Sequence, residues 1–299
     1  MSRMFEALRK TEGELAEVAK AVLADESVGK EVMSLGSGSE LSSAATEPTD
    51  ALMEASPTIS NVGSYEVRSE SIEVPLDSPM LPFDGSDDQA AEQYKIIRTK
   101  IRHHRSQPRI VLVSSPMPGD GKTISSVNLA AALSLEENAR VLLMDCDFRR
   151  SSATRLLGLT ATPGLGEVLR NEASLESSLI RVSQFPNFYL LPPGTTSPGP
   201  AELLSTVRWQ SLLETVRSEF RFVIVDAPPI GAVAEYELLQ LACDGVVLVV
   251  RQDHTNRQLW QKALEAVPKS KQLGVILNCA RSWFLWKTHG YYYYSAGSR

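Results

Sequence analysis

Residues 110–123 read Ile110-Val111-Leu112-Val113-Ser114-Ser115-Pro116-Met117-Pro118-Gly119-Asp120-Gly121-Lys122-Thr123. An apolar, β-branched run too short for a helix leads into a glycine-bearing turn, and a helical pattern over 123–135 follows. Gly119 and Gly121 permit backbone conformations in which successive N–H groups point into one hollow. The N-terminus of the following helix adds the positive end of its dipole. Lys122 supplies a mobile cation for β- and γ-phosphates, facing solvent and phosphate rather than a core, and the Thr123 hydroxyl can ligate Mg2+. The stretch Pro118, Gly119, Asp120, Gly121, Lys122, Thr123 and Ile124 is therefore expected to bind a nucleotide. One position departs from the strict phosphate-loop pattern: Pro116 stands where a glycine is usual.

Working outward, further short apolar runs lie at 141–144, 188–191, 222–225, 245–250 and 273–277, with helical stretches such as 201–218 and 256–266 between them. The runs are almost continuously apolar, as in strands buried on both faces. Their alternation with helices predicts an α/β fold of P-loop NTPase type, a mostly parallel sheet with helices on both faces. Ligands in such folds sit beyond the carboxyl ends of the strands. Two runs end in acids there: Asp145 and Asp147 in Asp145-Cys146-Asp147-Phe148-Arg149, and Asp226 in Asp226-Ala227-Pro228-Pro229. A strand-terminal Asp often merely caps a turn. Beside a phosphate loop, three such acids point to a catalytic or Mg2+-binding role.

Ahead of this region, a helix is expected from Asp87 to about His104, with Ala90, Tyr94, Ile97 and Ile101 as its buried stripe. Residues 31–86 are rich in Ser, Gly, Pro, Glu and Asp without periodicity and read as a disordered linker. Residues 1–30 carry one amphipathic helix, its stripe formed by Met4, Leu8, Leu15, Val18 and Val22.

The net charge of −6 argues against nucleic acid as the main partner. Cys146, Cys243 and Cys279 are far apart and odd in number, which argues against a disulfide framework or zinc site and for a reducing cytosol. No apolar run approaches the roughly 20 residues that span a bilayer, and the polar start of the chain is unlike a secretory signal. A cytoplasmic protein is expected. Near the end, Trp283-Phe284-Leu285-Trp286 is flanked by Arg281 and Lys287. Such a patch suits a membrane interface or an apolar contact on protein. Tyr291-Tyr292-Tyr293-Tyr294 follow, in a chain end of small residues suited to mobility. Residues 283–299 thus form an aromatic, tyrosine-rich tail. A mobile tyrosine can serve as substrate, with Asp145 as the candidate base.

The Asp-x-Asp-x-Arg sequence after an apolar strand, placed between a phosphate loop and a distal Asp, resembles the bacterial tyrosine kinase family. These are P-loop autokinases of capsule and exopolysaccharide synthesis. Pro163-Gly164-Leu165-Gly166-Glu167-Val168-Leu169, Pro198-Gly199-Pro200-Ala201-Glu202-Leu203-Leu204 and the tyrosine tail add to the resemblance, which covers about 87–294. It implies a kinase domain over 87–282, with ATP and Mg2+ as cofactors. It further implies that Lys122 and Thr123 hold phosphate and metal, that Asp145 and Asp147 divide base and Mg2+ roles, and that Asp226 is the distal acid, also a metal ligand. Tyr291, Tyr292, Tyr293 and Tyr294 become autophosphorylation sites. Expected partners are further copies of the chain and a membrane-embedded polysaccharide co-polymerase or activator that recruits the kinase to the inner face of the membrane. The family oligomerisation motif corresponds to Glu92, Lys95 and Arg98, where Lys replaces an Arg. Glu235 stands where members often carry Asp. The competing readings are a positioning or partitioning ATPase and a phosphorylation-controlled scaffold. Positioning ATPases carry an early lysine in the phosphate loop, and Pro116-Met117-Pro118 supplies none.

Overall fold

The computed structural model describes residues 67–72, 87–150, 152–195 and 199–280. The expected N-terminal helix, most of the expected linker, the 283–286 aromatic cluster and the four tail tyrosines lie outside these residues. Eight strands form one sheet: β1 (Arg68–Glu70), β2 (Ile110–Ser114), β3 (Val141–Asp145), β4 (Ile180–Val182), β5 (Phe188–Leu191), β6 (Phe222–Asp226), β7 (Gly245–Arg251) and β8 (Gln272–Asn278). Their order is β1-β4-β5-β3-β6-β2-β7-β8. Every neighbouring pair is parallel except β4 with β5. The mostly parallel sheet expected from the sequence is present.

The central parallel strands β2, β3 and β6 are buried from end to end, β7 is buried except at its last two residues, and β8, expected to be buried on both faces, is half-buried to exposed along its length because it closes the sheet on that side. Alternate side chains of β2 serve opposite faces: Ile110 and Leu112 join one core cluster, Val111 and Val113 the other. Helices α1 (Asp88–Arg102) and α2 (Lys122–Ser134) cover the second face, through Ile101, Val127, Leu129 and Leu133. On the first face lie the short helices α4 (Leu165–Arg170), α5 (Leu175–Ser178) and α6 (Pro200–Leu204), then α7 (Val207–Glu219) and α8 (Ala234–Ala242). Trp209 and Tyr236 are that layer's buried aromatic side chains, packed with Leu212, Leu239 and the leucines of the short helices. The short α3 (Ser152–Leu156) follows β3, and α9 (Arg257–Ala266) links β7 to β8.

Three expectations change. Residues 68–70 fall in the expected linker yet form β1, paired in parallel with β4. Neither three-residue strand is long enough to show a buried-strand pattern in the sequence, and β1 is the strand at the sheet's edge. β1 gains its place from that pairing and from Ile72, which is buried and whose backbone N–H is accepted by the Gln184 amide oxygen at 3.2 Å. The expected helix over 201–218 is two helices, because Thr206 leaves helical geometry and its hydroxyl accepts the Trp209 N–H to start α7 afresh. In α1, Asp87 caps as expected, accepting from Ala90 N at 2.9 Å. Ala91 and Ile101 are its buried residues, whereas Ala90 is only half-buried.

At the amino end of the sheet, Asp244 ties three elements together. One oxygen accepts the Arg109 and Ile110 N–H groups, each at 2.8 Å, and Arg217 closes on both oxygens at 3.0 and 2.7 Å. Burial pushes the Asp244 carboxyl up, but Arg217 and the two backbone donors outweigh it and hold it below the ordinary value. A depressed carboxylate contributes stability above its unfolded pKa, near ~3.9, and loses it as pH falls through the folded value. Asp244→Ala strands two backbone donors and a guanidinium. It is expected to lower the unfolding free energy by roughly 2–3 kcal/mol at neutral pH, read from urea midpoints. The gap to wild type narrows as pH drops below about 4.

Candidate active site at the carboxyl ends of β2, β3 and β6

Sheet register alone assembles the site. Asp145 pairs directly with Asp226 across β3 and β6, and Val113 of β2 pairs with Asp226 on the other side. The chain leaving β2 is the phosphate loop, so loop and acids meet at one level. Gly119 and Gly121 take left-handed φ of 88° and 94°, as a loop with inward N–H groups requires. Gly121 is the N-cap of α2 and has no side chain to satisfy the first helical N–H groups, which leaves them for a bound anion.

Lys122 differs from the solvent-facing cation expected from the sequence. It is only 8% exposed, and its Nζ donates to Asp147 Oδ2 at 2.7 Å and to Thr123 Oγ1 at 3.2 Å, with Asp226 Oδ1 at 3.7 Å. Burial disfavours its charge, but Asp226 and Asp147 more than compensate, and its pKa is raised. It is a fully charged ammonium inside a cluster of acids.

Asp145 and Asp226 are wholly buried. Thr154, on α3, donates both its backbone N–H (3.1 Å) and its hydroxyl (3.0 Å) to Asp145 Oδ2. Asp145 Oδ1 has no partner. Burial and the neighbouring Asp226 raise the Asp145 carboxyl to about 7. Burial also raises Asp226, against the pull of Lys122, Thr123 and Ser126. Ser126 Oγ donates to Asp226 Oδ1 at 3.1 Å, and Asp226 Oδ2 is unpartnered. Three carboxylates thus face one ammonium, and two buried oxygens remain open. That donor set suits a hard cation.

Among the remaining predicted residues, Pro118 and Gly119 are exposed on the loop, Asp120 is buried, and Ile124 packs against the core behind α2. Beside Asp147 a shallow cleft is lined by Cys146, Asp147, Phe148, Arg149, Pro228, Val233 and Glu235. Glu235, near the start of α8, is buried, with Arg149 3.6 Å away. Glu92, Lys95 and Arg98 lie apart from the site on α1. Lys95 Nζ bonds Glu92 at 2.6 Å, and Arg98 donates to the Ala132 carbonyl of α2 at 3.1 Å. Sequence reasoning missed Ser126 and Thr154, which bond the acids, and His254, Thr255 and Asn278, which hydrogen-bond Asp120 of the loop. Ser126 was findable, one helical turn beyond Lys122 and so on the same face. The other four come from distant segments and carry no motif.

An AAA domain family model matches residues 108–272, spanning the loop and all three acids. The tyrosine-protein kinase YwqD of Bacillus subtilis is 36% identical over 192 residues, covering 63% of this chain and 80% of the relative. The tyrosine-protein kinase CpsD of Streptococcus agalactiae is 33% identical over 190 residues, covering 62% and 82%. Among solved structures, the VpsO kinase domain superposes with a TM-score of 0.58 at 29% identity, over 67% of this chain and 99% of that one. The chimerical protein CapA2B2 superposes with a TM-score of 0.63 at 25% identity, over 71% and 93%. With the phosphate loop, the paired strand-end acids and these relatives in agreement, the chain belongs to the bacterial tyrosine-protein kinase family of AAA-domain proteins.

Proposed function

We propose that this protein is an ATP-dependent tyrosine autokinase that phosphorylates Tyr291, Tyr292, Tyr293 and Tyr294 and regulates exopolysaccharide or capsule synthesis and export. The observation that carries the reading is the Lys122 ammonium set among Asp145, Asp147 and Asp226 at the end of a phosphate-loop strand. The loop N–H groups and Lys122 would hold the β- and γ-phosphates. Thr123, Asp147 and Asp226 would hold Mg2+, which when bound would neutralise negative charge on the β- and γ-phosphates. Among the described residues no cluster of three or more His, Cys, Asp or Glu forms a metal site. The ion would therefore complete its shell with phosphate and water oxygens, as Mg2+ ordinarily does.

In the transfer, the tyrosine oxygen bonds to the γ-phosphorus, the bond to the β-phosphate oxygen breaks, and ADP leaves with that electron pair. The phenolic proton passes to Asp145. Thr154 fixes one oxygen of Asp145 and leaves Oδ1 open for that proton, and a carboxyl near 7 is a stronger base than an ordinary one. The cleft lined by Phe148 and Arg149 beside Asp147 is where an acceptor ring would approach. Association with the inner membrane face would come through a membrane-embedded activator; no helix among the described residues is long and apolar enough to cross a membrane. Glu92, Lys95 and Arg98 would contribute to a homo-oligomer, although two of those side chains already pair with each other.

Incubation with Mg-ATP followed by phosphotyrosine blotting tests the reading directly: wild type is expected to label. Lys122→Met is expected to abolish the label while the folded far-UV spectrum persists, and an undiminished label would remove the loop from the chemistry. Asp145→Asn is expected to cost more than ~10²-fold in rate with little change in nucleotide affinity, since a base acts mainly in the transition state. Asp147→Asn is expected instead to weaken Mg-ATP binding, and reversed phenotypes would exchange the two roles. Replacing Tyr291, Tyr292, Tyr293 and Tyr294 together by Phe keeps the rings but removes every tail acceptor. Nucleotide binding should persist and the label should disappear; label retained at wild-type level would place the acceptor elsewhere.

A further inference from the structure

The acids flank the phosphate loop on one side, where β6 and β3 lie. On its other side β7 and β8 end, and there a second set of contacts converges on Asp120. This residue sits inside the loop sequence, yet its side chain turns away from the hollow and is completely buried. Oδ1 accepts from Thr255 Oγ1 at 2.7 Å and from His254 Nδ1 at 3.0 Å. Oδ2 accepts the Met117 N–H of the loop itself at 3.0 Å. The Asp120 backbone carbonyl accepts from Asn278 Nδ2 at 2.9 Å. Next to it, the Gly119 carbonyl accepts from Arg251 at 3.3 Å. Asn278 lies so close over Gly121 that a β-carbon there would overlap its amide. His254 lies against Gly119 in ordinary van der Waals contact.

We propose that Asp120 is a positioning residue, clamped by His254 and Thr255 after β7 and by Asn278 at the end of β8, and that this clamp holds the phosphate loop in its anion-receiving shape. A loop with two left-handed glycines, one on either side of Asp120, is intrinsically free to adopt many conformations. Holding it open before the ligand arrives removes an ordering cost from binding. The contacts divide that labour. The Met117 bond fixes the curl of the loop, the Asn278 bond fixes the peptide ahead of Gly121, and the His254 and Thr255 bonds fix the whole loop to the sheet. Because the carboxylate only accepts, His254 carries its proton on Nδ1 and points it at Asp120. None of the three clamping side chains belongs to the acid cluster, so the clamp acts on binding of phosphate and not on the transfer step.

The inference rests on the loop being a nucleotide site. The test is the affinity of the full chain for a fluorescent ATP analogue with Mg2+, together with kcat at saturating ATP and the thermal midpoint. Wild type must first bind the analogue; failure at that step overturns the nucleotide reading itself. Thr255→Val removes a donor while nearly keeping shape, and His254→Ala removes the other. Each is expected to weaken binding by about ten- to a hundredfold, as loss of a hydrogen bond to a charged group implies. The saturated kcat should stay within about threefold and the thermal midpoint near wild type. Thr255→Ser and His254→Asn, which retain a donor at the same place, are expected to recover most of the affinity. In an Asp120→Ala background, Thr255→Val should add almost nothing, because its acceptor is gone. Wild-type affinity in Thr255→Val and His254→Ala would overturn the proposal. So would a loss of affinity that Thr255→Ser and His254→Asn do not restore, or one that tracks only a lowered thermal midpoint.

Discussion

A single ammonium set among three carboxylates is the constraint on which the rest of this structure depends. Lys122 lies 2.7 Å from Asp147 and 3.7 Å from Asp226, and Asp145 sits at the same sheet level as Asp226. Burying that much negative charge is costly unless it is compensated. The protein compensates incompletely. Thr154 and Ser126 each bind one oxygen, Lys122 neutralises part of the charge, and one oxygen each of Asp145 and Asp226 is left open. A site tuned only for stability would have replaced these acids with apolar residues. Retained excess charge at the end of a phosphate loop is an arrangement suited to a divalent cation and a reacting phosphate.

The sheet makes this arrangement possible, and it also limits it. The acids belong to the ends of β3 and β6, and the loop extends β2, so their spacing follows from strand spacing and register and from no local motif. Side chains at strand ends have rigid backbones beneath them, wholly buried over five residues in each case. The phosphate loop is different. Its glycines give it the hollow and deprive it of stiffness, and the hydrogen bonds from the β7 and β8 side supply from outside what the loop lacks. The site is therefore rigid by two mechanisms: packing under the acids, hydrogen bonding around the loop.

Much of this was legible in the sequence, for identifiable reasons. Continuous apolar runs ending in Asp, interleaved with helical periods, define a parallel sheet and put Asp145, Asp147 and Asp226 at its ligand-binding end. What escaped reading was whatever depends on pairing at an edge or on contacts between distant segments. β1 and β4 are three-residue strands, at and next to the sheet's edge, and β1 lies inside a stretch whose Ser-, Gly- and acid-rich composition says linker. Thr154 is one turn into a short helix with no signature. Asn278 ends a strand that the apolar run 273–277 did reveal, but nothing in the sequence says that its side chain reaches the loop 158 positions earlier. The direction of Lys122 was misread for a physical reason too. A lysine in a phosphate loop is expected to face outward when the acids are ignored, and three nearby carboxylates reverse that preference.

The position of β8 bears on how the tyrosine segment can reach this site. β8 is separated from β3 by four strand spacings, through β7, β2 and β6, which is roughly 19 Å at the usual interval between strands. Thirteen residues separate Asn278 from Tyr291, and an extended chain covers about 3.3–3.6 Å per residue. Contour length is thus ample for a tyrosine to cross from β8 to the acids of its own chain, with about half to spare. The entropic cost of closing such a loop rises only logarithmically with its length. A neighbouring chain's tail gains no advantage from reach. It competes only through the effective concentration that an oligomer provides, and through the direction of its approach. Asn278 lies beside the phosphate loop, on the flank opposite the acids, so under the proposed reading a tail continuing from it would have to round a nucleotide held by the loop before its hydroxyl lined up opposite the leaving β-phosphate. A tail from another chain could instead meet the cleft at Phe148 and Arg149 directly. On that reading, in-line geometry rather than tether length would decide between a chain's own tail and a neighbour's.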